Sequence, residues 1–162
     1  MRKCVRTSVL ATALLLASGL PLGAGAEDDP IKVGLKTFKF KVPEDKAHLF
    51  NYDEGAERLC FYTNGQAEAV VKVPADGEYQ VVVVAACDSA LNERAKFKVA
   101  IDGEAVGKET LLTADEEREY TLTAKLKAGE RKLVVEFTND VYKDGEYDRN
   151  LYVHAVTLKR VK

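Results

Sequence analysis

Apolar residues along this chain recur with a period of two far more often than with a period of 3.6. Phe97, Val99 and Ile101 alternate with Lys96, Lys98 and Ala100, and Tyr120, Leu122, Ala124 and Leu126 alternate with Thr121, Thr123 and Lys125. Period two turns one face of a strand toward a core and the other toward water. Residues 79–86 are instead apolar throughout, a pattern that predicts a strand buried on both faces. Further strands are expected over 32–42, where the phase shifts between Leu35 and Phe38, and over 48–52, 59–62, 67–73, 105–112, 132–138 and 151–161. Turn residues punctuate them. Pro43 to Lys46 breaks one run, Asn64-Gly65 and Asp102-Gly103 read as tight hairpins, and Asp76-Gly77 and Ala128-Gly129 turn the chain. The acidic stretch 113–119 reads either as one helical turn or as plain loop. No amphipathic helix of useful length is present. Roughly nine or ten short strands at near-regular spacing predict an all-β fold, an antiparallel β-sandwich of jelly-roll type.

The first residues are read as a targeting segment. Arg2, Lys3 and Arg6 precede an apolar run from Val9 to Leu22, and Ala24-Gly25-Ala26 supplies a small-residue cleavage signal. That run falls short of the roughly 20 residues that span a bilayer, so a signal peptide over 1–26 is expected rather than a permanent anchor. The protein is therefore expected to be secreted, with one domain over 27–162. Cleavage removes the three basic residues and no acidic ones, taking the formal charge from −2 to −5. A mild acidic surplus is no footprint for nucleic acid and is compatible with binding a cation. Two cysteines, Cys60 and Cys87, follow the signal segment. In an oxidising compartment they could pair, closing a loop of about 26 residues worth roughly 3–4 kcal/mol, or stand as two buried thiols.

Catalytic signatures are missing. His48 and His154 have no Cys or Asp partners at zinc spacing, and His154 reads as a surface or core-edge residue of the last strand. No nucleophile elbow, phosphate loop or dinucleotide fingerprint occurs. A non-catalytic protein is expected. The stretch that stands out is the loop of residues 139–150 between the last two long strands, with Asp140 and Asp148 near its ends, Asn150 beyond, and Tyr142 and Tyr147 between. Calcium takes six to eight oxygen ligands, which such a loop can supply from carboxylates, an amide and exposed carbonyls such as that of Tyr147. Arg149 cannot ligate; it is expected to brace a carboxylate or pack outward. The spacing does not follow the EF-hand pattern, and the same composition describes a solvated acidic loop.

Phe137-Thr138-Asn139-Asp140 followed by Asp148-Arg149-Asn150-Leu151-Tyr152-Val153 resembles the signature of the calcium-dependent xylan-binding modules, carbohydrate-binding module families 36 and 60. Upstream, Asn64-Gly65, Pro74 to Tyr79, Ala85 to Asp88 and Val99 to Gly103 fall in the family's order. The resemblance implies a sugar bound through the metal, with vicinal hydroxyls completing the shell of a calcium ion. It further implies Asp140 and Asp148 as carboxylate ligands, the Tyr147 carbonyl before the second, Asn150 as ligand or brace, and Asp88 as a further ligand at the same rim. With no Trp in the chain, stacking on the sugar falls to Tyr142 or Tyr147. The partner implied is a xylan-like polysaccharide. The alternative expectation is a structural or protein-interaction module of the cell envelope in which calcium only staples the loop.

Overall fold

The computed structural model describes residues 29–161; the signal segment expected over 1–26 lies outside the described residues. Two antiparallel sheets pack face to face. In the first, the order is β10 (Arg118–Leu126), β6 (Gly77–Asp88), β14 (Asn150–Arg160), β4 (Arg58–Phe61) and β3 (Phe50–Asp53), with β1 (Ile31–Val33) added to the far half of β14. In the second, β2 (Lys39–Lys41), β5 (Gly65–Val73), β11 (Gly129–Phe137), β7 (Lys96–Ile101) and β8 (Glu104–Ala105) run in that order, and β9 (Thr110–Leu111) also pairs with β7. This is the expected β-sandwich. Among the described residues no helix is long and apolar enough to cross a membrane.

The period-two pattern is what fills the space between the sheets. Val81, Val83 and Ala85 from one sheet meet Phe97, Leu133, Val135 and Phe137 from the other, all of them buried. Phe40, Phe50 and Phe61 close one part of this core with ring centroids 5.2 to 6.0 Å apart, two of the three pairs edge to face. The continuous apolar run in β6 departs from expectation. Val82 and Val84 turn to the outer face and are only half-buried, because no layer covers that side of the first sheet.

Several turn signals join sheets rather than strands of one sheet. Asn64-Gly65 is not a hairpin: β4 belongs to the first sheet and β5 to the second, and the chain crosses between them at residues 62–64. Gly65 is there for space. A Cβ built on it would lie 2.5 Å from the Phe50 ring. Asp102-Gly103 does form the expected two-residue hairpin between β7 and β8, both residues having positive φ (53° and 86°). The phase shift within 32–42 has the same origin as the crossovers. β1 pairs with β14, a 3-10 turn follows at Leu35–Thr37, and β2 then joins β5 in the opposite sheet.

The 105–112 segment is two short pairings rather than one strand. Stretch 113–117 is loop, held by Asp115, whose carboxylate accepts from Arg94 Nε at 2.8 Å and Ser89 Oγ at 3.2 Å.

Cys60 and Cys87 are free and buried, which settles the pairing left open by the sequence. Cys60 stands opposite Tyr152 and Cys87 opposite Leu151, so the two lie on strands flanking β14 and point to opposite faces of the sheet. Two strand spacings separate their backbones by about 10 Å, beyond the reach of a disulfide.

Candidate functional site

The loop from Asn139 to Asp148 leaves β11 in the second sheet and enters β14 in the first, so it closes one end of the sandwich. A small hairpin, β12 (Tyr142–Lys143) with β13 (Tyr147–Asp148), projects from it. Its base is fastened on three sides. The Asn139 side chain takes the place of a strand partner: its Oδ1 accepts from the Lys96 amide at 2.6 Å and its Nδ2 donates to the Arg94 carbonyl at 2.9 Å. From the crossover, Asn64 Oδ1 accepts from the Asp140 amide at 2.7 Å, and Thr63 Oγ1 donates to Asp140 Oδ2 at 2.9 Å.

Arg149 is the third fastening. Its side chain turns inward, not outward, and only 4% of the residue is exposed. Nε donates to the Glu93 carbonyl at 3.0 Å, Nη1 to the Asn139 carbonyl at 2.5 Å and Nη2 to the Ala90 carbonyl at 2.6 Å. The Glu93 carboxylate lies 3.4 Å from the same guanidinium. A buried arginine thus ties the 139–150 loop to the loop after β6, using the planar fork that suits several oxygen acceptors.

Between these fastenings the acidic side chains converge. Asn150 Nδ2 donates to both Asp148 Oδ2 and Asp88 Oδ2, each at 3.0 Å. Asp88 Oδ2 also accepts from the Tyr152 hydroxyl at 2.6 Å. That leaves one oxygen on each of three residues, Asp140 Oδ1, Asp148 Oδ1 and Asn150 Oδ1, buried without a hydrogen-bond partner. Burial raises the Asp140 carboxyl above the usual carboxylate range, and the Asp148 charge adds to the rise against the Thr63 bond. Three desolvated oxygens, two of them on carboxylates whose charges act on one another, are groups that a hard cation would satisfy. Among the described residues no group of three or more His, Cys, Asp and Glu side chains gathers at metal-binding range. A cation held here therefore needs amide or backbone oxygens beside its carboxylates, which is the donor set calcium accepts.

The remaining candidates divide. Asp88 is exposed, and its Oδ2 already serves Asn150 and Tyr152. Tyr147 is half-buried in β13. Tyr142 is 61% exposed at the hairpin, its hydroxyl donating to Asp144 Oδ1 at 3.0 Å. His154 is the extra residue of a β-bulge where β14 slips against β6, with Nδ1 3.1 Å from the Glu117 carboxylate. Thr63, Asn64 and the three carbonyls bound by Arg149 were not legible as parts of the site. Thr63 and Asn64 lie 76 and more residues upstream of the loop they hold, and carbonyls carry no residue identity.

The fold is a β-sandwich whose loop at one end carries buried oxygens without partners. The family of calcium-dependent xylan-binding carbohydrate-binding modules matches residues 80–162, half the chain, and the protein belongs to that family. No curated protein sequence matches it. Three solved structures share the fold at low identity. One is the family 35 module from Clostridium thermocellum (14% identity, 80% of this chain and 96% of that one, TM-score 0.54). Another is a family 36 module of a multidomain xylanase from the hindgut metagenome of Trinervitermes trinervoides (12%, 82% and 97%, 0.57). The third is a family 36 module in complex with calcium and xylotriose (17%, 78% and 96%, 0.52).

Proposed function

We propose that the protein is an exported, non-catalytic module that binds a xylan-like polysaccharide through a calcium ion seated at the 139–150 loop. The observation that carries this reading is the set of three buried oxygens, on Asp140, Asp148 and Asn150, that have no hydrogen-bond partner. Leaving such groups unpaired costs about 1–3 kcal/mol each, a cost a bound cation removes. Asp140, Asp148 and Asn150 supply side-chain oxygens and the Tyr147 carbonyl a backbone one. When bound, the ion offers its open coordination positions to vicinal sugar hydroxyls.

Asp88 acts in this scheme chiefly on Asn150. By accepting from Nδ2 it fixes the orientation of the amide, whose Oδ1 is left without a hydrogen-bond partner. Arg149, Asn139 and Thr63 hold the loop at fixed spacing, so little ordering accompanies binding. Tyr142 and Tyr147 offer ring faces to the sugar. The targeting segment expected over 1–26 belongs to the same reading, since polysaccharides of this class lie outside the cell.

The test is electrophoresis through a xylan-containing gel with calcium and with chelator. Retardation of the wild type by calcium alone, and its loss in Asp148→Ala, is the expected result. Equal migration in both conditions refutes sugar binding; a calcium-induced rise in Tm that persists beside it identifies the envelope structural or interaction module instead.

A further inference from the structure

Among the described residues, two turns place both central residues at positive φ, and they are built from very different residues. At the Asp102-Gly103 hairpin the pair is one that such type I′ turns favour. The second joins Ala90 to Glu93, which exchange backbone bonds in both directions (Ala90 N–H to Glu93 O at 3.1 Å, Glu93 N–H to Ala90 O at 3.0 Å). Its central residues are Leu91, φ 54°, and Asn92, φ 59°. A leucine in the left-handed region is disfavoured, because Cβ crowds the following carbonyl. Leu91 gains no compensation from packing: it is 61% exposed and stands outside the core cluster.

The turn survives because its surroundings determine it. Arg149 binds the carbonyls of Ala90 and Glu93, the two residues that flank the tip, while its neighbours Asp148 and Asn150 carry the unpartnered oxygens. Asp88, two residues before Ala90, accepts from Asn150, and Arg94, just after Glu93, accepts from Asn139. Segment 88–94 is therefore laced along the cation loop, and its strained tip projects from the same end of the sandwich. Backbone strain at an exposed residue beside a binding site makes that residue a candidate for a ligand contact.

We propose that Leu91 is a specificity-determining contact of the module, covering the apolar face of a pentose unit next to the one bound at the cation. A pentopyranose lacks the hydroxymethyl arm of a hexose, so its C–H face is flat enough to lie on a branched aliphatic side chain. The inference rests on the function proposed above.

The decisive variant is Leu91→Asn combined with Asn92→Gly, which installs the residues the turn favours. Tm is expected to rise by about 2–5 °C as the strain is relieved. The calcium-induced rise in Tm should stay as in the wild type, while retardation by xylan weakens about tenfold, the order expected for losing one leucine contact. Leu91→Ser, which keeps the original backbone demand, should weaken retardation without the gain in Tm. Xylan retardation equal to wild type in both variants overturns the proposal and leaves the module's function standing. Loss of the calcium response in either variant also overturns it, since the turn would then act through the cation loop. A wild type that calcium does not retard overturns both readings, and that result needs no variant.

Discussion

Arg149→Ala is the perturbation whose consequence the structure specifies most closely. The side chain is buried, and its three donors satisfy the carbonyls of Ala90, Glu93 and Asn139 at 2.5 to 3.0 Å. Alanine would leave those carbonyls partly desolvated and a void where the guanidinium lay. Each unpaired group costs about 1–3 kcal/mol, and water entering the void recovers part of it, so a net loss of about 3–4 kcal/mol follows. For a domain of this size that corresponds to a fall in Tm of about 10–15 °C, measurable by differential scanning calorimetry. The loop would also lose its tie to residues 90–93, so calcium affinity should fall with stability. Arg149→Lys, with one donor centre in place of a fork, should recover only part of both losses. A fall of less than about 3 °C, or full recovery by lysine, would refute the view that the guanidinium links the two loops.

Asp140→Asn separates the cost of the unliganded loop from its use. It removes a desolvated charge but keeps an acceptor for Thr63, so Tm without calcium should equal or exceed that of the wild type. The wild type at calcium 100-fold above Kd should gain about 2.7 kcal/mol, whereas the variant should gain almost nothing. A variant that keeps the calcium-induced rise would exclude Asp140 as a ligand. His154 governs a pH dependence. Burial, reinforced by the Arg58 charge and opposed by Glu117, lowers its folded-state pKa below the unfolded value of about 6.5. The stability of the neutral form is thus complete above about pH 6.5 and is lost as pH falls through the folded value. His154→Gln should flatten Tm between pH 7 and pH 5, and an unchanged slope would assign the dependence to other groups. Gly65→Ala should cost about 1–3 kcal/mol, read from urea unfolding, because Phe50 must move to admit the methyl. A neutral result would show that the crossover yields freely.

Much of the architecture was legible because period two is a local property. The alternation through Phe97, Val99 and Ile101 and through Tyr120 to Leu126 is enough to make strands with one buried face. The same reasoning misjudged β6, since an unbroken valine run does not say whether a second layer exists to cover Val82 and Val84. It also misread Asn64-Gly65, because a glycine required by the ring of Phe50 looks in sequence like a glycine required by a turn. In the site, the loop 139–150 stood out by composition, yet the direction of Arg149 did not. Whether an arginine faces solvent or backbone carbonyls depends here on a segment 56 and 59 residues away, which supplies two of its three acceptors.

What the sequence alone determined, then, was the strand periodicity, the sandwich class, and a loop rich in hard oxygen donors with a family's motif at its ends. Those depend on residues close together in the chain. Only the tertiary structure decided that Cys60 and Cys87 face opposite sides of a sheet, and that Thr63 and Asn64 reach the Asp140 loop. It alone shows one oxygen on each of Asp140, Asp148 and Asn150 left buried without a partner. Such facts are relations between distant segments. They follow from how two sheets are stacked and joined, which no local pattern of apolar and polar residues encodes.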